Sequence, residues 1–291
     1  MRTKITRFIF LGLVLPSALV YSSIAVHDRF FNNTMCVNIM DVGLGDAIFI
    51  EAPQGMRILV DGGGVYSGDF DIGKFVVAPV ILSKKTRTID YVIITHPHKD
   101  HIGGLLYILN NFNVRHLVTA MHLKPDRELN HLFTAARKNR IPVEFWAEGD
   151  ILNINEATKL TVLHPPAAND MDDLNKGSLV FRMDYGSKSF LMTGDIDADV
   201  EEKIIFSNFR IHADVMKVPH HGSVHSSSPS FIRAVDPVMA VLSVGPGIRG
   251  IPADEALHLY SASSIPLFRT DRDGMITFCS DGTRISYCTF N

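Results

Sequence analysis

Hydrophobic and polar positions change their period several times along this chain. Residues 34–41 (TMCVNIMD), 46–52 (DAIFIEA) and 56–64 (MRILVDGGG) alternate or run apolar, which predicts three strands, the third ending in a glycine turn. Residues 70–85 (FDIGKFVVAPVILSKK) take a helical spacing started or broken at Pro79, and residues 89–95 (IDYVIIT) form the continuous apolar run of a fully buried strand. A helix at 103–112, a strand at 114–120 and a helix at 126–140 follow; Asp126 suits the cap of the last helix and its basic end suits the helix dipole.

The second half begins with short strands between Ile141 and His164, among them KLTVLHPP at 159–166. Strands at 178–186 and 188–195 meet at a turn near Gly186, followed by a helix near 198–207 and a strand at 213–219. A helix and strand within 230–244, a helix at 253–262 and a hairpin over 276–288 complete the series. This alternation predicts an α/β fold, mixed sheets with helices on their outer faces, in one large domain.

The first 25 residues stand apart. Arg2, Lys4 and Arg7 precede an apolar stretch from Phe8 to Tyr21, which is shorter than the about 20 residues of a spanning helix and contains Pro16. Small residues then lead to a cleavage position after Ala25, the order of a secretory signal, with an uncleaved membrane anchor as the alternative. Either places the remainder outside the cytoplasm. Cleavage would remove three basic and no acidic residues, leaving 25 Lys+Arg against 31 Asp+Glu, so charge gives no general attraction to a polyanion. Cys36 can pair with Cys279 or with Cys288; a two-residue turn at Asp281-Gly282 would set Cys279 opposite Arg284, which argues against a bridge between the two hairpin cysteines.

The chemistry concentrates after the strand at 89–95. THPHKDHIGG, residues 95–104, presents His96, His98, Asp100 and His101 in the pattern His-x-His-x-Asp-His. The two-residue spacing brings two imidazoles to one ion, while Asp100 and His101 can turn to a second, as in two-metal sites. Mixed nitrogen and oxygen donors suit Zn²⁺ or Mn²⁺, one or two ions per chain. There is no Gly-x-Ser-x-Gly elbow and no P-loop, so an activated water is the expected nucleophile of a hydrolase.

NIMDVGLGDAIFI, ILVDGGG, ITHPHKDHIGGL, LTVLHPP, SLVFRMDYGSKSFLMTGDI, ADVMKVPHHGS and FRTDRDGMITF occur in the same order as in the metallo-β-lactamase-fold hydrolases. The text most resembles the hydrolase domain of DNA-uptake competence proteins of the ComEC type, over roughly residues 35–288. That resemblance implies a four-layer αββα sandwich, a hydrolase domain spanning 35–291 and a metal site at one edge of both sheets. It implies that Asp195 bridges two metals, that His220 ligates the second metal and that His221 faces the substrate or supports a ligand. Asp100, Asp195 and His221 are then the catalytic candidates. It also places Asp61 where an aspartate orients ligands, and Asn175 where most of the superfamily has a third histidine for the first metal. His164 is a candidate to compensate there. Asp41 and Asp46, in DVGLGD, stay ambiguous, and Leu44 stands where the family usually has Gln. Ile251 stands where relatives tend to have histidine.

The expected activity is a metal-dependent hydrolase using metal-bound hydroxide, acting as a phosphodiesterase or nuclease on DNA or another phosphodiester. Hydroxyls of Ser223, Ser226, Ser227 and Ser228 are candidates to bind its phosphate. A hydrolase of a small ester, lactone or thioester is the first alternative; a non-catalytic metal-containing binding or regulatory module, motivated by Asn175 and Ile251, is the second. The long multi-spanning channel of the competence proteins has no counterpart in these residues, which makes a separate membrane channel a candidate partner.

Overall fold

Strands that are apolar on both faces need a covering layer on each side, and this chain supplies two such sheets. The computed structural model describes residues 32–66, 68–120, 127–167, 173–245 and 250–290, with Pro16 and Val20 besides. The expected signal or anchor at 1–25, those two residues apart, and the capping Asp126 lie outside the described residues. Among the described residues no helix is long and apolar enough to cross a membrane.

The first half contains β1 (Met35–Ile39), β2 (Ile48–Glu51), β3 (Arg57–Val60), α1 (Ala78–Ser83), β4 (Thr88–Ile94), α2 (Lys99–Ile102), α3 (Leu105–Asn111), β5 (Asn113–Ala120), α4 (Arg127–Lys138) and β6 (Val143–Trp146). A π-helical turn over Gly73–Val77 runs into α1 without a break, and Pro79, which has no N–H for the helix ladder, lies just past that wider turn. The second half contains β7 (Ile151–Asn155), β8 (Thr158–His164), β9 (Val180–Tyr185), β10 (Lys188–Met192), α5 (Ala198–Ile205), β11 (Val215–Lys217), α6 (Pro229–Val235), β12 (Met239–Leu242), α7 (Asp254–Ala262), β13 (Leu267–Arg269) and α8 (Thr270–Asp273). The chain then returns to the first sheet with β14 (Met275–Ser280) and β15 (Ile285–Phe290).

The first sheet runs β15-β14-β1-β2-β3-β4-β5-β6 and the second β13-β12-β11-β10-β9-β8-β7. Side-chain alternation sorts the core into three sheets of contact. Met35, Val37, Ile58 and Val60 of the first sheet meet Phe181, Met183 and Phe190 of the second. On the outer face of the first sheet, Phe49, Leu59 and Val92 pack with Leu105, Ile108, Leu129 and Leu132 from helices. On the outer face of the second, Val180, Leu191 and Met216 pack with Val200, Ile204, Phe231 and Tyr260. The result is the αββα sandwich.

Strands β3 to β6 are parallel, as are β10 to β13. Their carboxyl ends gather the loops after β3, β4, β10 and β11, where open α/β sheets place their ligands. The final hairpin differs from expectation. Ser280 pairs with Ile285 and Cys279 with Ser286, so its loop spans residues 281–284, organised by Asp281 Oδ1 accepting from the N–H groups of Thr283 and Arg284. Cys279 faces Cys36 across β1 and β14 and forms a disulfide with it, while Cys288 is free and exposed.

Candidate metal centre

The turn after β4 is built from the inside out. Asp61, fully buried and carrying a positive φ of 55°, accepts from the Thr95 N–H at 2.9 Å and the Thr95 hydroxyl at 2.6 Å. With its proton given to Asp61, Thr95 Oγ1 can accept from His96 Nδ1, 3.1 Å away, which leaves His96 Nε2 with a lone pair. That nitrogen lies 3.1 Å from Nδ1 of half-buried His98, so the two spaced imidazoles converge as the motif predicts. His101 donates through Nδ1 to Asp61 at 2.8 Å and turns Nε2 inward. Two glycine contacts let neighbouring loops lie this close: a Cβ on Gly45 would sit 1.9 Å from the Asp100 carbonyl oxygen, and one on Gly64 the same distance from that of Lys99.

The second sheet brings the other wall. Asp195 Oδ2 lies 3.2 Å from His101 Nε2, 3.2 Å from His221 Nε2 and 3.8 Å from His96 Nε2. Ligand atoms of Asp100, His101, Asp195 and His221 all fall within 4.8 Å of one another, and every one of these residues is buried. His221 completes this group; His220, the ligand expected from the resemblance, is not one of its four members but adjoins it. Both have left-handed backbone, φ 48° and 51°, and the turn aims His221 inward, where Nδ1 donates to the Ser243 carbonyl at 2.8 Å. His220 is less buried, and its Nδ1 lies covered without a hydrogen-bond partner.

Several other candidates fall elsewhere. His164 donates through Nε2 to the Lys176 carbonyl at 2.7 Å, so it supports the turn that carries Asn175. Burial pushes its pKa down to about 4. Asn175 accepts the Ser178 N–H, Ser178 Oγ accepts the Asp195 N–H, and Asn175 Oδ1 is buried without a partner. Of the four serines, Ser226 and Ser227 turn their hydroxyls to protein partners, while Ser223 and Ser228 accept from backbone N–H groups. Ser226 donates to the Pro219 carbonyl, Ser227 meets the Tyr260 hydroxyl, Ser228 Oγ accepts from Phe231 N–H at the start of α6, and Ser223 Oγ accepts from His225 N–H. Their hydroxyls hold the loop together. Buried Glu201 accepts the N–H groups of Ser227 and Ser228, which ties the same loop to α5. Asp41 is exposed and shapes its turn by accepting from Gly43 N–H, whereas Asp46 enters the centre.

Sequence reasoning passed over two residues. Lys217, 1% exposed at the end of β11, reaches Asp46 and Asp195; nothing in VMKVP distinguishes it from an ordinary strand-end lysine. Tyr66, exposed on the loop after β3, donates to Asp100 Oδ1 at 2.7 Å. Burial and that carboxylate raise its pKa.

Charge balance fits divalent cations here. Asp46, Asp61, Asp100 and Asp195 are all buried, and Lys217 is the buried lysine among them. Burial alone would suppress the cationic form of His101, but Asp195 and Asp61 outweigh it and hold its pKa well above the usual value. His96 is driven well below, by burial first and by His101 second. Burial would raise Asp195, yet His221, His101 and Lys217 hold it well below. The four buried carboxylates outnumber these cations, and the imidazole and carboxylate donors suit a first-row divalent ion.

Comparison with known proteins gives the family. Residues 40–245 match the family model of the Metallo-beta-lactamase superfamily. ComE operon protein 3 of Bacillus subtilis (strain 168) is 34% identical over 254 residues, covering 83% of this chain and 32% of its own length. Competence protein ComA of Neisseria gonorrhoeae is 26% identical over 250 residues, covering 84% of this chain and 32% of its own length. The chain thus spans about a third of the length of these relatives. Among solved structures, the metallo-beta-lactamase fold protein YhfI from Bacillus subtilis aligns with TM-score 0.56 and 12% identity over 84% of this chain and 100% of its own. Igni18, a metallo hydrolase from Ignicoccus hospitalis KIN4/I, aligns with TM-score 0.53 and 16% identity over 84% of this chain and 98% of its own. By its sequence, its sandwich and its buried donor set, this chain belongs to the metallo-beta-lactamase superfamily of hydrolases, with kinship to competence proteins.

Proposed function

We propose that this protein is a metal-dependent phosphodiesterase that cleaves DNA outside the cytoplasm. The observation that carries the hydrolytic part is the convergence of His96, His101 and His221 on one oxygen of Asp195, with Asp100 and His98 beside them. Divalent ions bound there would supply Lewis acidity and make water a nucleophile at neutral pH. The chain's own groups do the positioning: Asp61 and the Ser243 carbonyl fix the tautomers of His101 and His221 so that each offers Nε2. Tyr66 spends its one hydroxyl proton on Asp100 Oδ1 and so holds that carboxylate in place at the edge of the centre.

The substrate rests on the competence proteins that the chain resembles, and export on the basic and apolar N-terminal pattern. A disulfide between Cys36 and Cys279 is consistent with an oxidising compartment. The test is hydrolysis of linear single- and double-stranded DNA by the purified protein supplied with Mn²⁺ or Zn²⁺, beside Asp195→Ala. Cleavage by the parent alone is the expected result; a parent inert towards both DNA forms under either metal would remove DNA as the substrate.

A further inference from the structure

Lys217 is buried in the centre and has a definite set of partners. Its Nζ donates to the Gly194 carbonyl at 2.9 Å and to Asp195 Oδ1 at 3.2 Å, and lies 2.6 Å from Asp46 Oδ2. An ammonium carries three N–H groups, and three acceptors use all of them. Nothing remains for a substrate.

The consequence falls on Asp195. Its Oδ1 is engaged by the lysine, while its Oδ2 alone faces the ring nitrogens of His96, His101 and His221. The Gly194 carbonyl that takes the lysine's second proton belongs to the residue just before Asp195, so one cation grips both the backbone and the side chain of that aspartate. Gly194 itself has φ 54° and leaves no room for a Cβ, which would come within 2.9 Å of Ser178 Cβ. Asp46, on the loop between β1 and β2, holds the lysine from the opposite sheet.

We infer that Lys217, held by Asp46, is a positioning residue that restricts Asp195 to a single oxygen for metal ligation. The inference rests on the metal-dependent reading of the site but not on its substrate. It separates geometry from charge. Loss of Lys217 removes a buried positive charge and frees Asp195 Oδ1, so cation uptake does not weaken, yet the ligand arrangement changes.

The probe is Co²⁺ alone, added to the full protein, whose visible absorption reports coordination number and geometry independently of any hydrolysis. Lys217→Met is expected to bind Co²⁺ at least as tightly as the parent but with an altered visible spectrum, and to lower kcat about tenfold with KM little changed. Asp46→Ala, which removes one of the lysine's three acceptors and leaves the lysine in place, should move the spectrum in the same direction by less. Near-ultraviolet circular dichroism identifies which variants are folded. A spectrum of either folded variant superimposable on the parent's overturns the inference, as does weaker Co²⁺ binding by Lys217→Met. DNA cleavage plays no part in those two readouts, so a wrong substrate cannot imitate a wrong role for Lys217.

Discussion

His101 stands between two carboxylates: Nδ1 donates to Asp61 at 2.8 Å, and Nε2 lies 3.2 Å from Asp195 Oδ2. Asp61 therefore decides which nitrogen His101 offers to a cation. Removing it in Asp61→Ala should weaken metal affinity about 10- to 100-fold, as loss of such supporting partners does elsewhere. Equilibrium dialysis with Zn²⁺ measures this, and unchanged affinity would mean that His101 is oriented by something else.

The same pair makes metal uptake depend on pH. Asp195 and Asp61, against the opposing effect of burial, keep His101 protonated above its ordinary pKa in the metal-free protein. A ligand nitrogen must lose that proton, so affinity rises with pH and levels off above the raised pKa. Calorimetric titration at pH 7 in two buffers of different ionisation enthalpy should show proton release; equal heats in both would count against it.

His221 and His220 adjoin in sequence but differ in duty. His221→Ala should lower the amount of metal bound per chain, because its Nε2 lies 3.2 Å from Asp195 Oδ2. His220→Ala should retain the parent's metal content. Elemental analysis of the two purified variants distinguishes them, and the reverse pattern would bear out the assignment expected from the sequence.

His164 couples stability to acidity. Burial lowers its pKa from 6.5 to about 4 in the folded protein, so folding favours the neutral ring. Its contribution is complete above the unfolded pKa of 6.5 and is lost as pH falls from there towards 4, amounting to on the order of 3 kcal/mol. Urea unfolding of the parent and His164→Gln at pH 7, 5.5 and 4.5 should show the parent's advantage shrinking; a difference constant across that range would refute the coupling.

The disulfide joins residues 243 positions apart, tying the first strand to the second-last. Its reduction should cost about 2–5 kcal/mol of stability. Thiol titration of the unfolded chain should find one group before reduction, Cys288, and three after it. Three groups before reduction would show the bond unformed.

Local chemistry was legible in the sequence, and chain direction was not. His-x-His-x-Asp-His declares itself because its donors are consecutive, and the strands declare themselves because both faces are apolar. The choice between His220 and His221 depends on two successive left-handed backbone conformations, which residue types do not dictate. Lys217 reads as a solvated strand end until Asp46 and Asp195 arrive from distant loops. The partners of Ser226 and Ser227 were not legible, because hydroxyls look alike whether they face solvent or, as these two do, a neighbouring backbone carbonyl and tyrosine. The hairpin loop was misjudged because Asp281 organises four residues where Asp-Gly alone suggests two.

His96, His98, Asp100 and His101 follow a strand of one sheet, and Asp195 and His221 follow strands of the other. A cation taken up between them is a rivet through both halves of the sandwich, drawn tight only after each half has formed. Resistance to unfolding then becomes a property of the surroundings as much as of the chain, growing with the logarithm of free metal concentration once that exceeds the dissociation constant. In a compartment whose metal supply varies, the protein's lifetime and its competence for chemistry would rise and fall together.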